Sequence, residues 1–209
     1  MKRVLKQGVV LATKLIAHLL LGLEIRHRER LPQAGPAILV ANHNSHLDAL
    51  VLMSLFPLAL APQLRPVANA DYFLHQNPCL AWFARQVLDI IPVAIADSAQ
   101  KSPDPSNHRA FLQQCAEALA QGQIIILFPE GSRGQPEQLS PLQCGIAHLA
   151  KRHPAVPVIP ITLTNLGKAL PKGDPLLVPF VCGGVVGEPL VWNGDKSAFL
   201  NTLTAAFQN

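Results

Sequence analysis

Two side chains able to do proton chemistry stand five residues apart in Asn42-His43-Asn44-Ser45-His46-Leu47-Asp48. A histidine held by a carboxylate has a fixed tautomer and one ring nitrogen left over, which suits it to general-base work. On one continuous helix His43 and Asp48 would lie roughly 140° apart at 3.6 residues per turn. They meet only if His43 sits off the helix and folds back over its first turn. The flanking residues allow this. Residues 37–41, Ala-Ile-Leu-Val-Ala, have the length and branching of a buried strand, and residues 49–56 read as a helix. Ser45 is a suitable N-cap, with Asp48 at the spacing of a capping box. His43 then falls at a strand-to-helix turn at the mouth of an open α/β sheet, where such folds place reactive groups.

A second stretch, Phe128-Pro129-Glu130-Gly131-Ser132-Arg133-Gly134, follows another apolar run at 123–128. Pro129 ends the strand, and Gly131 lets a ligand approach the backbone closely. Ser132 offers a hydroxyl, and Arg133 a forked cation suited to phosphate. Glu130 has the chemistry to bind an acceptor hydroxyl or to steer Arg133. Taken alone, the stretch reads better as a surface turn with one Arg–Glu pair, which is worth little.

Together the two stretches resemble the glycerolipid and lysophospholipid acyltransferases. His43 and Asp48 match that family's His-x4-Asp motif, and residues 128–134 resemble its Phe-Pro-Glu-Gly-Thr-Arg-Ser. Residues 156–161, Val-Pro-Val-Ile-Pro-Ile, resemble its late Val-Pro-Ile-x-Pro block, and Pro160 there would shape the pocket wall. The resemblance runs from about residue 25 to about residue 190. It implies His43 and Asp48 as catalytic residues and Glu130, Gly131, Ser132 and Arg133 as substrate-binding ones. It also implies transfer of a fatty acyl group from acyl carrier protein or coenzyme A to a lysophospholipid hydroxyl, with 1-acylglycerol-3-phosphate as first choice. Neither metal nor redox cofactor is needed. One departure stands out. Many members end the strand equivalent to residues 91–95 in a phosphate-holding Arg, where this chain has Ile95 and no Arg between Arg85 and Arg109. Lys101, Arg109, Lys168 and Lys172 are the candidate replacements, and a lyso-aminolipid or other lipid alcohol stays open as acceptor. Backbone N–H groups near the helix that starts at Ser45 are the expected oxyanion donors.

Two rival chemistries fit less well. A zinc hydrolase using His43, His46 and Asp48 would follow a His-x-His-x-Asp-His pattern. Here the first two histidines are three apart, and Ala49 stands where the last should be. A non-catalytic membrane-binding protein on the same scaffold would have no use for an intact His43 and Asp48. Gly-x-Ser-x-Gly is absent, which disfavours an ordinary α/β-hydrolase.

The chain of 209 residues suffices for one domain with a full core. Charged residues are 14%, against about 25% in a typical soluble domain. Mean hydropathy is +0.26 and the formal charge +4. A basic, apolar chain with only 5% aromatics suits an anionic membrane surface better than nucleic acid. Residues 4–23 make a largely apolar helix flanked or interrupted by Lys2, Arg3, Lys6 and Lys14. Its longest stretch without Lys or Arg, residues 15–24, is shorter than the roughly 20 residues a spanning helix needs. Lys14 and the lack of a small-x-small site argue against a signal peptide. The choice is between an interfacial helix on the bilayer and a helix packed on the core; the first is favoured, with residues 1–23 as anchor and 24–209 as the acyltransferase domain, peripheral or monotopic on the cytoplasmic face of the inner membrane. The cysteines Cys79, Cys115, Cys144 and Cys182 form no Cys-x2-Cys pair and read as buried, reduced thiols.

The remaining pattern alternates strands and helices. Strands are expected at 65–69, 90–95, 123–128, 156–163 and 178–186, with an edge strand at 24–30. Helices are expected at 77–87 (Asn77 as cap and Pro78 at the first position), 107–120, 141–152 and 196–207. This is an α/β sandwich around one mostly parallel mixed sheet flanked by helices, plus the N-terminal apolar helix. No internal repeat or second domain is apparent.

Overall fold

The computed structural model describes residues 1–70, 73, 77–93, 105–132, 134, 138–170 and 176–208. Its centre is β2 (Ala37–Ala41), in which every residue is buried. A strand apolar at each position has no face for water and belongs inside a parallel sheet. Around it the sheet runs in the order β1-β7-β6-β2-β5-β3-β4. The other strands are β1 (Glu24–Arg26), β3 (Leu64–Asn69), β4 (Ile91–Val93), β5 (Ile124–Leu127), β6 (Val158–Thr164) and β7 (Gly183–Val186). β6, β2, β5, β3 and β4 are mutually parallel. β7 runs antiparallel to β6, and β1 parallel to β7, so one margin of the sheet is reversed. This is the mixed, mostly parallel sheet expected, with β1 on the edge.

Side-chain alternation along β2 assigns the two cores. Ala37, Leu39 and Ala41 point to a cluster that includes Val10, Leu52 and Phe56. Ile38 and Val40 point the other way, to a cluster that includes Leu112, Cys115, Leu149 and Phe199. The first face is covered by α1 (Lys2–Leu19) and α2 (Asp48–Ser54), the second by α4 (Pro105–Ala120), α5 (Gly145–Arg152) and α7 (Lys196–Ala206). Each fully buried Leu, Ile or Phe contributes about 1.5–3 kcal/mol. The short α3 (Pro78–Phe83) starts as expected, with the Asn77 side chain accepting from the Cys79 and Leu80 N–H groups. α4 stops at Gly122, whose φ is +68°. The Gly122 and Gln123 N–H groups return to the carbonyls of Leu119 and Ala118, a Schellman closure.

α1 packs on the domain, and it does so with an unexpected face. Its buried residues are Lys6, Val10, Thr13 and Ala17. The opposite face exposes Val4, Leu5, Leu11, Leu15, Ile16, Leu19 and Leu20. Buried Lys6 donates to the Leu64 carbonyl. Burial pulls its ammonium down to about 8, with Asp89 opposing and Arg65 reinforcing. No helix among the described residues is long and apolar enough to cross a membrane.

Other expectations shift at their ends, because local backbone partners win. The helix foreseen at 141–152 starts only at Gly145, since the Gln143 N–H is taken by the Pro129 carbonyl at 2.7 Å. The strand foreseen at 178–186 shortens to 183–186, because the Val178 and Cys182 N–H groups bond Ala169 and Leu21 instead. The edge strand stops at Arg26, where His27 takes a left-handed φ of +55°. Residues 94–95 lie outside the described residues. The small α6 (Leu166–Ala169) was not foreseen. All four cysteines are free, but Cys79 and Cys144 are exposed, which corrects the expectation of four buried thiols. Burial pushes the Cys115 thiol up to about 12.

Candidate active site

Parallel pairing of β2 with β5 brings the two sequence stretches together. Val40 pairs with Leu127. His43 and Glu130 each follow three residues later, at the C-terminal end of neighbouring strands. Just past β2, the Asn42 amide closes onto β6: its Nδ2 donates to the Leu163 carbonyl at 2.8 Å, and its Oδ1 accepts the Leu163 N–H at 2.6 Å. The chain then leaves the sheet. The His43 N–H donates to Glu130 Oε1 at 2.7 Å, and the His43 carbonyl accepts the Gly134 N–H at 3.0 Å. The second stretch thus grips the backbone of the histidine from both sides.

The ring is equally constrained. It stacks on Phe128, with centroids 4.1 Å apart and planes at 21°. Its Nδ1 lies 2.9 Å from Asp48 Oδ2. That oxygen also accepts the backbone N–H groups of Asn44, at 2.7 Å, and Ser45, at 2.8 Å. An ionised carboxylate only accepts, so Nδ1 carries the proton and Nε2 keeps the lone pair. Asp48 is fully buried, whereas the His43 side chain is 22% exposed. The imidazole is reachable from solvent and the carboxylate is not.

The local turn is half a capping box. Asp48 reaches back to the Ser45 N–H as expected, but Ser45 does not cap the helix. α2 begins at Asp48, after Leu47, and has no side-chain cap. The Ser45 hydroxyl accepts the Leu47 N–H at 3.2 Å and donates to the Leu170 carbonyl at 3.1 Å. This narrows the expected oxyanion site. The N–H groups of His43, Asn44, Ser45, Leu47 and Asp48 already donate within the protein. Next to the dyad, Asn44 is buried with neither polar side-chain atom partnered, and Asp48 Oδ1 is likewise unpartnered.

The expected substrate-binding residues have different positions. Glu130 is buried, and its second oxygen accepts the Ser140 N–H at 2.8 Å, so both carboxylate oxygens hold backbone. Gly131 has a φ of +79°, a conformation glycine adopts freely. Ser132 is exposed beside it. Arg133 lies outside the described residues, as do Ile95, Lys101 and Lys172. Arg109 is exposed on α4. Lys168 is exposed too, with its ammonium 3.0 Å from Asn165 Oδ1 and 5.9 Å from the Phe180 ring centre. His46 is half-buried, and no three His, Cys, Asp or Glu side chains converge among the described residues. Sequence reasoning missed the platform role of Phe128 and the strand-closing role of Asn42, although both lie within or beside the quoted motifs.

The family model described as Acyltransferase matches residues 22–164, a span that holds both stretches. The chain belongs to the acyltransferase family. It is 30% identical over 152 residues to a chloroplastic 1-acyl-sn-glycerol-3-phosphate acyltransferase of Brassica napus, covering 72% of this chain and 40% of that one. An Arabidopsis thaliana counterpart is 30% identical over 153 residues, covering 73% and 38%. The human alpha form is 25% identical over 143 residues, covering 68% and 45%. The chain thus spans about two fifths of the length of the two plant relatives. Its fold resembles the crystal structure of the 1-acyl-sn-glycerophosphate acyltransferase PlsC from Thermotoga maritima, with a TM-score of 0.73, 20% identity, and coverage of 97% of this chain and 77% of that one. Within this acyltransferase chain, the matched span includes β2, β5 and β6, the three strands whose ends build the dyad and its supports.

Proposed function

We propose that this acyltransferase moves a fatty acyl group from an acyl thioester, of acyl carrier protein or coenzyme A, onto the hydroxyl of a lysophospholipid, with 1-acylglycerol-3-phosphate as first choice. The observation that carries the reading is the contact of His43 Nδ1 with a fully buried Asp48, made by a histidine whose own side chain stays 22% exposed. In the proposed step, Nε2 takes the hydroxyl proton as the oxygen attacks the thioester carbonyl carbon. A C–O bond forms and the C–S bond breaks. The thiolate leaves and recovers the proton from the imidazolium, which Asp48 stabilises meanwhile. In this reading Ser132 and Arg133 bind the acceptor's headgroup, and Glu130 acts by holding His43. The activities for which the relatives are named support the choice of acceptor. The absence of Arg between Arg85 and Arg109 favours a second acceptor reading, a lyso-aminolipid or other lipid alcohol with less negative charge.

The same reading places the protein on a membrane surface, peripheral or monotopic on the cytoplasmic face of the inner membrane, with residues 1–23 as the interfacial element and 24–209 as the catalytic domain. Support comes from the bare apolar face of α1 and the absence of any Asp or Glu in residues 1–23. The decisive experiment is acyl transfer by purified His43→Ala to 1-acylglycerol-3-phosphate in detergent. Turnover should fall to background with the melting temperature little changed. Near wild-type turnover would refute the mechanism.

A further inference from the structure

The apolar surface of α1 does not stop where the helix stops. After α6 the chain returns along residues 176–182 to the end of α1. The Val178 N–H donates to Ala169 at 2.8 Å, the Asn165 amide donates to the Val181 carbonyl at 3.0 Å, and the Cys182 N–H donates to Leu21 at 2.8 Å. Leu177 packs on the core and Cys182 is buried. Between these anchors Phe180 is 42% exposed and Val181 74% exposed, and across the Cys182–Leu21 bond lie Leu19 at 74% and Leu20 at 52%. Large apolar side chains displayed by hydrogen-bonded backbone, on two elements that meet, form a patch that calls for a partner.

The patch lies at the catalytic end. Gly183, the first residue of β7, pairs with Thr164, the last of β6. β6 is parallel to β2 and ends on the side where β2 gives way to His43. Leu170, just past α6, accepts the Ser45 hydroxyl of the dyad turn. Charge selects the occupant. Besides the buried Lys6, residues 1–23 carry Lys2, Arg3 and Lys14 and no acid, and the Lys168 ammonium stands over the Phe180 ring. A second copy of this chain would bring like charges together, whereas an anionic bilayer complements them.

We propose that residues 178–181 form a second membrane-contact element which, with Leu19 and Leu20, seats the catalytic end on an anionic bilayer, so that a lipid acceptor reaches His43 from the membrane. This deepens the lipid-acceptor reading and rests on it. The test uses the full chain and the double variant Phe180→Ser/Val181→Ser. Binding is measured by sedimentation with phosphatidylcholine vesicles, with and without phosphatidylglycerol. Turnover is measured on an acceptor held in those vesicles and on a short-chain acceptor dispersed as monomers. The double variant should bind anionic vesicles about tenfold more weakly and lose about as much turnover on the vesicle-borne acceptor. Turnover on the dispersed acceptor should not change. Unchanged vesicle binding overturns the proposal. So does an equal loss on both acceptors, which would make the segment part of the pocket, or a wild-type dimer that the double variant converts to monomer. Phe180→Trp gives a readout independent of turnover and of the double variant's folding. Its fluorescence, taken as the difference from wild type, should shift to the blue on anionic vesicles, and no shift overturns the proposal. Wild-type failure on both acceptors would instead sink the acyl-transfer reading, and the vesicle-binding and fluorescence results would stand apart from it.

Discussion

Replacing Asp48 by Asn separates orientation from charge at this site. Oδ2 accepts three hydrogen bonds, from His43 Nδ1 and from the Asn44 and Ser45 N–H groups, while Oδ1 accepts none. An asparagine has one arrangement that fits: its oxygen in the Oδ2 position, facing all three donors, with its NH₂ where Oδ1 was. The reverse would aim an NH₂ at two backbone N–H groups. The Nδ1–H tautomer therefore survives, and what is lost is the negative charge beside the imidazolium that forms during transfer. With charge centres about 4 Å apart and an effective dielectric near 20, that charge is worth on the order of 4 kcal/mol, or roughly a thousandfold in rate. A substitution that also flips the tautomer costs about ten-thousandfold in a serine-protease triad. Asp48→Ala would leave two buried N–H groups without an acceptor, at about 1–3 kcal/mol each. The assay is kcat on a dispersed acceptor together with urea unfolding of both variants. The expected pattern is Asp48→Asn folded but about a thousandfold slower, and Asp48→Ala clearly destabilised. Wild-type turnover in the Asn variant, or equal destabilisation of the two, would refute the three-donor account of Asp48.

Other buried polar groups make further outcomes testable. Lys6 is held near 8 in the fold against 10.5 unfolded, so below pH 8 the fold carries a buried charge costing about 3 kcal/mol. The unfolded chain binds more protons between these values, so this contribution makes stability rise from about pH 8 to about pH 10.5. Cys115, pushed up by burial, acts in the opposite sense above pH 9, so the readout is the wild-type minus Lys6→Met difference in unfolding free energy, and a difference flat with pH contradicts the prediction. Asn44→Leu removes two buried, unpartnered polar atoms and keeps the backbone bond to Asp48; it should stabilise by about 1–3 kcal/mol, and a lowered melting temperature counts against it. Glu130→Gln must turn an NH₂ toward either the His43 or the Ser140 N–H. It should cost about 1–3 kcal/mol of stability and lower kcat with it; an unaffected kcat would show that the grip on His43 is dispensable.

The layers were legible because β2 and β5 are apolar at every position, and length alone separates such a run from a helix. What periodicity does not say is which face of α1 is covered. Both faces are apolar enough, and the covered one contains Lys6 and Thr13 while Leu11, Leu15 and Leu19 stay out. Tertiary contacts decided the matter: Lys6 finds the Leu64 carbonyl, and Gln7 finds that of Leu58 at 3.0 Å. Element ends at Pro141–Cys144 and Val178–Cys182 were misjudged for a related reason. Their N–H groups are taken by partners remote in sequence, which no local propensity contains.

The dyad was legible because it is local. Five residues, a strand end and a helix start suffice to bring His43 onto Asp48, and only the cap assignment of Ser45 had to change. The role of Glu130 was not legible, because it depends on β2 and β5 being neighbours, and 87 residues separate Glu130 from His43. Once those strands pair in parallel register, equal offsets past Val40 and Leu127 put the carboxylate against the histidine backbone. Two motifs that read as separate signals are then one device. In the proposed reaction the first supplies the base and its orienting carboxylate; the second supplies the aromatic platform and the backbone grip that hold the histidine on Asp48. Under that proposal an acid in the Glu130 position acts through His43, since both of its carboxylate oxygens already accept backbone N–H groups.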